Sequence, residues 1–125
     1  MKTIRFILIA LVALIAASCS STSYDAEKCK IILQKIENRD EITQEDYSTM
    51  IDQCKAIINT IHKKSKELGG DEKALTEAII SDTTLKEMAL YGTNFSLFLE
   101  FNVADMDDSN KAKFEEFKKK IDETK

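Results

Sequence analysis

Residues 43–71 read TQEDYSTMIDQCKAIINTIHKKSKELGGD. Tyr47, Met50 with Ile51, Cys54, Ile58, Ile61 and Leu68 recur on a three-then-four rhythm, which lines one face of an α-helix and leaves the other to water. Thr43 stands where a hydroxyl can cap the first turn, and Asp46, three positions on, can return the bond. Gly69-Gly70 supplies the left-handed stop that other residues resist. A long amphipathic helix over about residues 44–68 is therefore predicted, and it sets the class of the fold.

The same period continues on both sides. Upstream, past the polar break Asn38-Arg39-Asp40-Glu41, Ala26, Cys29, Ile32, Leu33 and Ile36 mark a helix over about 25–38. Downstream, Asp71 can cap a helix over about 72–80 with Ala74, Leu75, Ala78 and Ile79 inward. Thr84 with Glu87 reads as a second capping box, opening a helix over about 85–104 along Leu85, Met88, Gly92, Phe95 and Leu99. Gly92 inside it either permits close helix approach or marks a bend. After a break at 105–109, Phe114, Phe117 and Ile121 line a last helix over about 111–122. No strand-like alternation appears. The expected fold is all-α, a small bundle of four to five helices with antiparallel neighbours in one domain over 25–125. With 43% apolar and 32% charged residues and no proline in 125, the composition suits helices with one solvated face.

The first nineteen residues differ in kind. Lys2 and Arg5 begin the chain, 6–16 are apolar, and Ala16-Ala17-Ser18 is a small-residue cleavage site, the layout of an export signal. The apolar run is too short for a bilayer, which takes about 20 residues. With Cys19 directly after Ala16-Ala17-Ser18, the segment resembles the signal of bacterial lipoproteins. That resemblance implies that 1–18 are removed, that Cys19 receives a diacylglycerol thioether, and that its new amine is acylated, typically by palmitate. It further implies a cell-envelope location outside the cytoplasm, on the outer membrane in a bacterium with two membranes, since Ser20 rather than Asp follows the cysteine. Residues 19–24 would then be the lipidated cysteine and a short tether. Four extended residues reach only about 13 Å, so the helices must sit close to the head groups.

Removing a leader that holds two of the 18 basic residues and no acid leaves 16 basic against 22 acidic side chains. Polyanions are poor partners for such a surface. The basic runs Lys63, Lys64, Lys66 and Lys118, Lys119, Lys120 fall near helix C-termini, where they complement the dipole, so nucleic-acid binding is not expected.

Three cysteines in an exported chain leave one unexplained, and lipidation of Cys19 leaves Cys29 and Cys54. Both lie on inward helix faces at equal distance from the first turn, the placement for a disulfide across an antiparallel hairpin. Two buried free thiols are the other reading. For chemistry, His62 is the only imidazole and lacks an orienting partner in the spacing. Asp105, Asp107, Ser109 and Glu116 occupy positions one, three, five and twelve of a calcium loop, with Asn110 where the loop needs glycine and Ala112 where it needs a bulky aliphatic. Helix capping is the competing use of those acids. No catalytic residue, metal or cofactor is expected. Residues 95–101, FSLFLEF, are apolar on nearly every side, so they are either central or sticky. If sticky, Leu97, Phe98 and Phe101 are the candidate contact residues for another protein or for the nearby lipid. The expected function is a lipid-anchored, non-enzymatic module that binds or scaffolds another envelope protein. The competing readings are an immunity-type inhibitor of a toxin or lytic enzyme, and an enzyme using His62 or the acids.

Overall fold

The computed structural model describes residues 23–123, so the leader, Cys19 and residues 20–22 lie outside the described residues. Among the described residues five α-helices follow one another: α1 (Ala26–Glu37), α2 (Gln44–Glu67), α3 (Glu72–Ser81), α4 (Thr83–Phe101) and α5 (Asp108–Glu123), with a 3-10 turn at Val103–Asp105. Among the described residues there is no strand, and the fold is the all-α bundle that the periodicity predicts.

Each helix begins on an oxygen that its sequence provides. Asp25 accepts from the N–H groups of Glu27 and Lys28, and Asp71 from those of Lys73 and Ala74. Thr43 and Asp46 form both halves of the predicted capping box. The box expected at Thr84 and Glu87 is corrected: α4 starts two residues earlier on Asp82, whose carboxylate accepts from Thr84 and Leu85 N–H. Glu87 is thereby released for another bond. α5 likewise starts ahead of the expected residue 111, because Asp107 accepts from Asn110 N–H at 2.8 Å. Gly69 and Gly70 both have positive φ, at 72° and 78°, as the stop of α2 requires. Arg39 also takes the left-handed conformation, at φ 60°, where the sequence offers no glycine. Asp40 N–H bonding Lys35 carbonyl at 2.8 Å closes α1 around it.

Pairwise contacts give the directions. α1 runs antiparallel to α2, because Lys35 meets Asp46 at 2.9 Å while Asp25 N–H meets Gln53 Oε1 at 2.8 Å. α4 is antiparallel to α2, with Tyr47 stacked on Phe98 and Cys54 beside Ser96. α5 runs parallel to α2 on its other flank. Asn110 bonds Gln44, and Lys113 bonds Ser48 and lies 2.8 Å from Asp52. α2 is thus the central element. Met50, Ile51, Cys54 and Ile57 from α2, Phe95 and Leu99 from α4, and Phe114 and Phe117 from α5 form the core. Met106, in the break between α4 and α5, is buried as well. α3 buries no residue fully, and its Ala78 and Ile79 only pack against the edge of that core.

Gly92 is inside one continuous helix, and a Cβ there would come 3.2 Å from Ile57 Cγ2. Its reason is close approach of α2 and α4 rather than a bend.

The Lys35–Asp46 pair makes the α1–α2 corner pH-dependent. Burial alone would raise the Asp46 carboxyl, but Lys35 and the N–H and hydroxyl of Thr43 hold it below the usual carboxylate range. A lowered folded pKa contributes stability that is whole above the ordinary value of about 4 and is lost as pH falls through the folded one. The thermal midpoint of the wild type is expected to fall more steeply below about pH 4 than that of Asp46→Asn. Parallel pH profiles for the two proteins would show the pair contributes nothing.

Candidate functional site

The outward face of α4 is where the fold departs from simple amphipathicity. Phe95 and Leu99 point into the core, and Phe98 is half-buried against Tyr47 with ring centroids 6.2 Å apart. Leu97 and Phe101 do not share that burial: they are 53% and 82% exposed, and Leu90 is 56% exposed. Leu90, Leu97 and Phe101 lie seven and eleven residues apart, which puts them on one side of a helix. The structure therefore divides the candidate trio. Leu97 and Phe101 form a surface with Leu90, which the sequence reading missed, while Phe98 joins α2 to α4.

Charge is thin along this face. α4 holds two acids in nineteen residues, and both are engaged: Glu87 Oε1 accepts the Tyr24 hydroxyl at 2.7 Å, and Glu100 lies 3.5 Å from Lys118 Nζ. Lys86 is exposed one turn ahead of Leu90, and from Leu90 to Phe101 the one charged residue is Glu100. A groove of about 390 Å³ adjoins this face, between α2 and α4, lined by Ile57, Ile58, Ile61, Ala89, Gly92, Thr93, Ser96 and Leu97. None of these side chains is acidic, basic or imidazole.

A second cluster fixes the first described residues. Gln53, fully buried, accepts from Asp25 N–H and donates through Nε2 to Ser23 carbonyl at 3.2 Å. Tyr24, between them, reaches across to Glu87. Burial and the neighbouring Glu87 carboxylate hold the Tyr24 phenol above its usual range, so it stays a donor. The first described residues are thus bonded to both α2 and α4. The signal in the sequence was a lone amide, Gln53, set between Ile51 and Cys54 on the apolar face.

Cys29 and Cys54 are both fully buried, in the same core, and the expected disulfide is not made in this structure: both are free thiols. Cys29 Sγ lies 3.5 Å from Gln53 Oε1, and Cys54 Sγ 3.9 Å from Ser96 Oγ. Burial first, and then the neighbouring Cys54, push the Cys29 thiol up to about 12, while burial raises Cys54 to about 11. Neither is a nucleophile in the folded state.

The remaining candidates are not brought together. Asp107 caps α5 and receives no ion-like set of oxygens, because Asn110, at the position of the calcium-loop glycine, is buried and donates to the carbonyl and Oε1 of Gln44. Asp105 ends the 3-10 turn and gives its carbonyl to Gln44, and Ser109 and Glu116 are exposed on α5. Among the described residues no three His, Cys, Asp or Glu are gathered as a metal would need. His62 is half-buried on α2 and does not line the groove between α2 and α4. No described helix is long and apolar enough to cross a membrane. No protein-family model matches the chain, and neither a curated protein nor a solved structure is recognisably similar to it.

Proposed function

We propose that the chain is a small lipid-anchored envelope protein that works by binding another protein through the outward face of α4, without chemistry of its own. The observation that carries this reading is the exposure of Leu97 and Phe101, with Leu90, on a helix whose two carboxylates are already engaged. An apolar side chain left in water forgoes about 25 cal/mol for each Å² it could bury, so this face supports a partner with an apolar centre. Around it the mature chain is acidic, 22 acids against 16 bases, which selects a basic rim on that partner. The same charge favours a basic toxin or lytic enzyme as the partner, the inhibitor reading of this surface.

Two measurements test the proposal. Intact mass of the protein from membranes is expected to show the chain beginning at Cys19 with a diacylglyceryl and an acyl group, and Cys19→Ser is expected to abolish both. A photo-crosslinking residue at position 97 or 101 in living cells is expected to give one protein adduct of defined mass that the same residue at Lys63 does not give. Leu97→Ala with Phe101→Ala is then expected to weaken binding to that protein tenfold or more, since an interface anchor is typically worth about 2 kcal/mol, with helix content unchanged. Adducts to lipid alone, or none, would rule out a protein on this face.

A further inference from the structure

We infer that Cys29 and Cys54 are joined by a disulfide in the exported protein, and that this bond fastens the anchor-bearing helix α1 to the rest of the bundle. The inference rests on the export reading of the leader. Its geometry stands apart from that reading.

α1 is the helix that follows the tether, and it is lightly held. Only Cys29 and Ile32 of its twelve residues are fully buried, whereas α2 buries seven residues. The register between them is fixed at two points, Lys35 with Asp46 and Asp25 with Gln53. Between those points, Cys29 Sγ already lies against Gln53 Oε1, the residue next to Cys54. Both thiols are wholly enclosed in one apolar core without a metal cluster around them among the described residues. Pulling on a lipid tether loads α1 first, and its polar connections to α2 are the Lys35–Asp46 pair near its end and, at its start, the bonds of Gln53 with Asp25 N–H, the Cys29 thiol and Ser23 carbonyl.

The reaction is an exchange with an oxidised dithiol oxidoreductase, the class of oxidant present outside the cytoplasm. One cysteine thiolate attacks the oxidant's disulfide, forming a mixed disulfide and releasing one of its thiols. The second cysteine thiolate attacks the chain's own sulfur in that mixed bond, closing Cys29–Cys54 and releasing the other thiol. The two protein thiols lose two protons and two electrons, and the oxidant's disulfide gains both. Because the folded core shuts both sulfurs away, the exchange takes place before the core closes.

The test uses the intact lipoprotein extracted without reductant and denatured in iodoacetamide. The expected result is a chain two hydrogens lighter than the dithiol, with no alkyl group added until a reductant is supplied, and two thereafter. A lipidated Cys19 accompanied by two alkylated cysteines overturns the bridge and leaves the anchor standing. An unprocessed chain with free thiols overturns the anchor, and the bridge with it. In the folded protein, reduction is expected to speed amide exchange in α1 on the order of a hundredfold, from the loss of a cross-link closing about 25 residues, while α2 and α5 hold their protection. Unchanged α1 exchange on reduction overturns the fastening role.

Discussion

Phe95→Ala is expected to lower the stability of the domain by about 3–5 kcal/mol, the usual cost of emptying a fully buried phenylalanine site. Phe95 is 0% exposed, stacks on Tyr91 at 5.9 Å, and stands among the Met50, Ile51 and Leu99 side chains of the central core. Domains of this size are held by only about 5–15 kcal/mol, so the variant should lose a large share of its stability. Its thermal midpoint is expected to fall by on the order of 20 °C, and its urea midpoint to fall with little change in slope. Phe101→Ala is the matched control. It removes the same side chain from the same helix, but from a position 82% exposed, and a surface change of that kind stays within about 0.5 kcal/mol. Equal losses in the two variants would mean that α4 is not oriented as described.

That pair of phenylalanines also shows how far the sequence could be read. Period and caps located α2 almost to the residue, because Thr43, Asp46 and Gly69-Gly70 act locally and their chemistry is written in adjacent letters. Where two caps compete, local reading fails. Asp82 and Thr84 can both open α4, and the carboxylate, accepting two N–H groups, took the role. At α4 itself the sequence showed an all-round apolar helix but not which side faced water, since the placement of α2, α3 and α1 against it decides that. Leu90 went unnoticed for the same reason. It belongs to a stripe only once Leu97 and Phe101 are known to point outward.

The candidate sites divide along the same line. The calcium spacing at Asp105, Asp107, Ser109 and Glu116 was a pattern in one dimension, and it dissolved once Asn110 turned inward to Gln44, 66 positions away. The cysteines were correctly placed as inward, because helix period alone sets that, but whether sulfur meets sulfur depends on the register of the two helices and on redox history rather than on periodicity. Gln53 was the hardest to see. A buried amide is informative only through its partners, and two of these, Ser23 and Asp25, stand outside any helix.

Gln53→Leu is accordingly expected to do more than a change of similar volume normally does. Leucine keeps most of the packing but leaves Asp25 N–H and Ser23 carbonyl without their partner, and each stranded group costs about 1–3 kcal/mol if it stays out of water. The chain can recover those bonds only by lifting residues 23–25 into solvent, which also pulls Tyr24 from Glu87. Amide exchange at Asp25 and through the first turn of α1 is expected to accelerate roughly ten- to a hundredfold, the same energy expressed as a local opening. Tyr24→Phe should produce a smaller change of the same kind, because Glu87 remains near water and loses only one bond. If the two effects were independent they would add, but both act on one three-residue segment, so the double variant is expected to fall short of the sum. Full additivity would separate the two bonds, and unaltered exchange in Gln53→Leu would remove the amide as the clamp on residues 23–25.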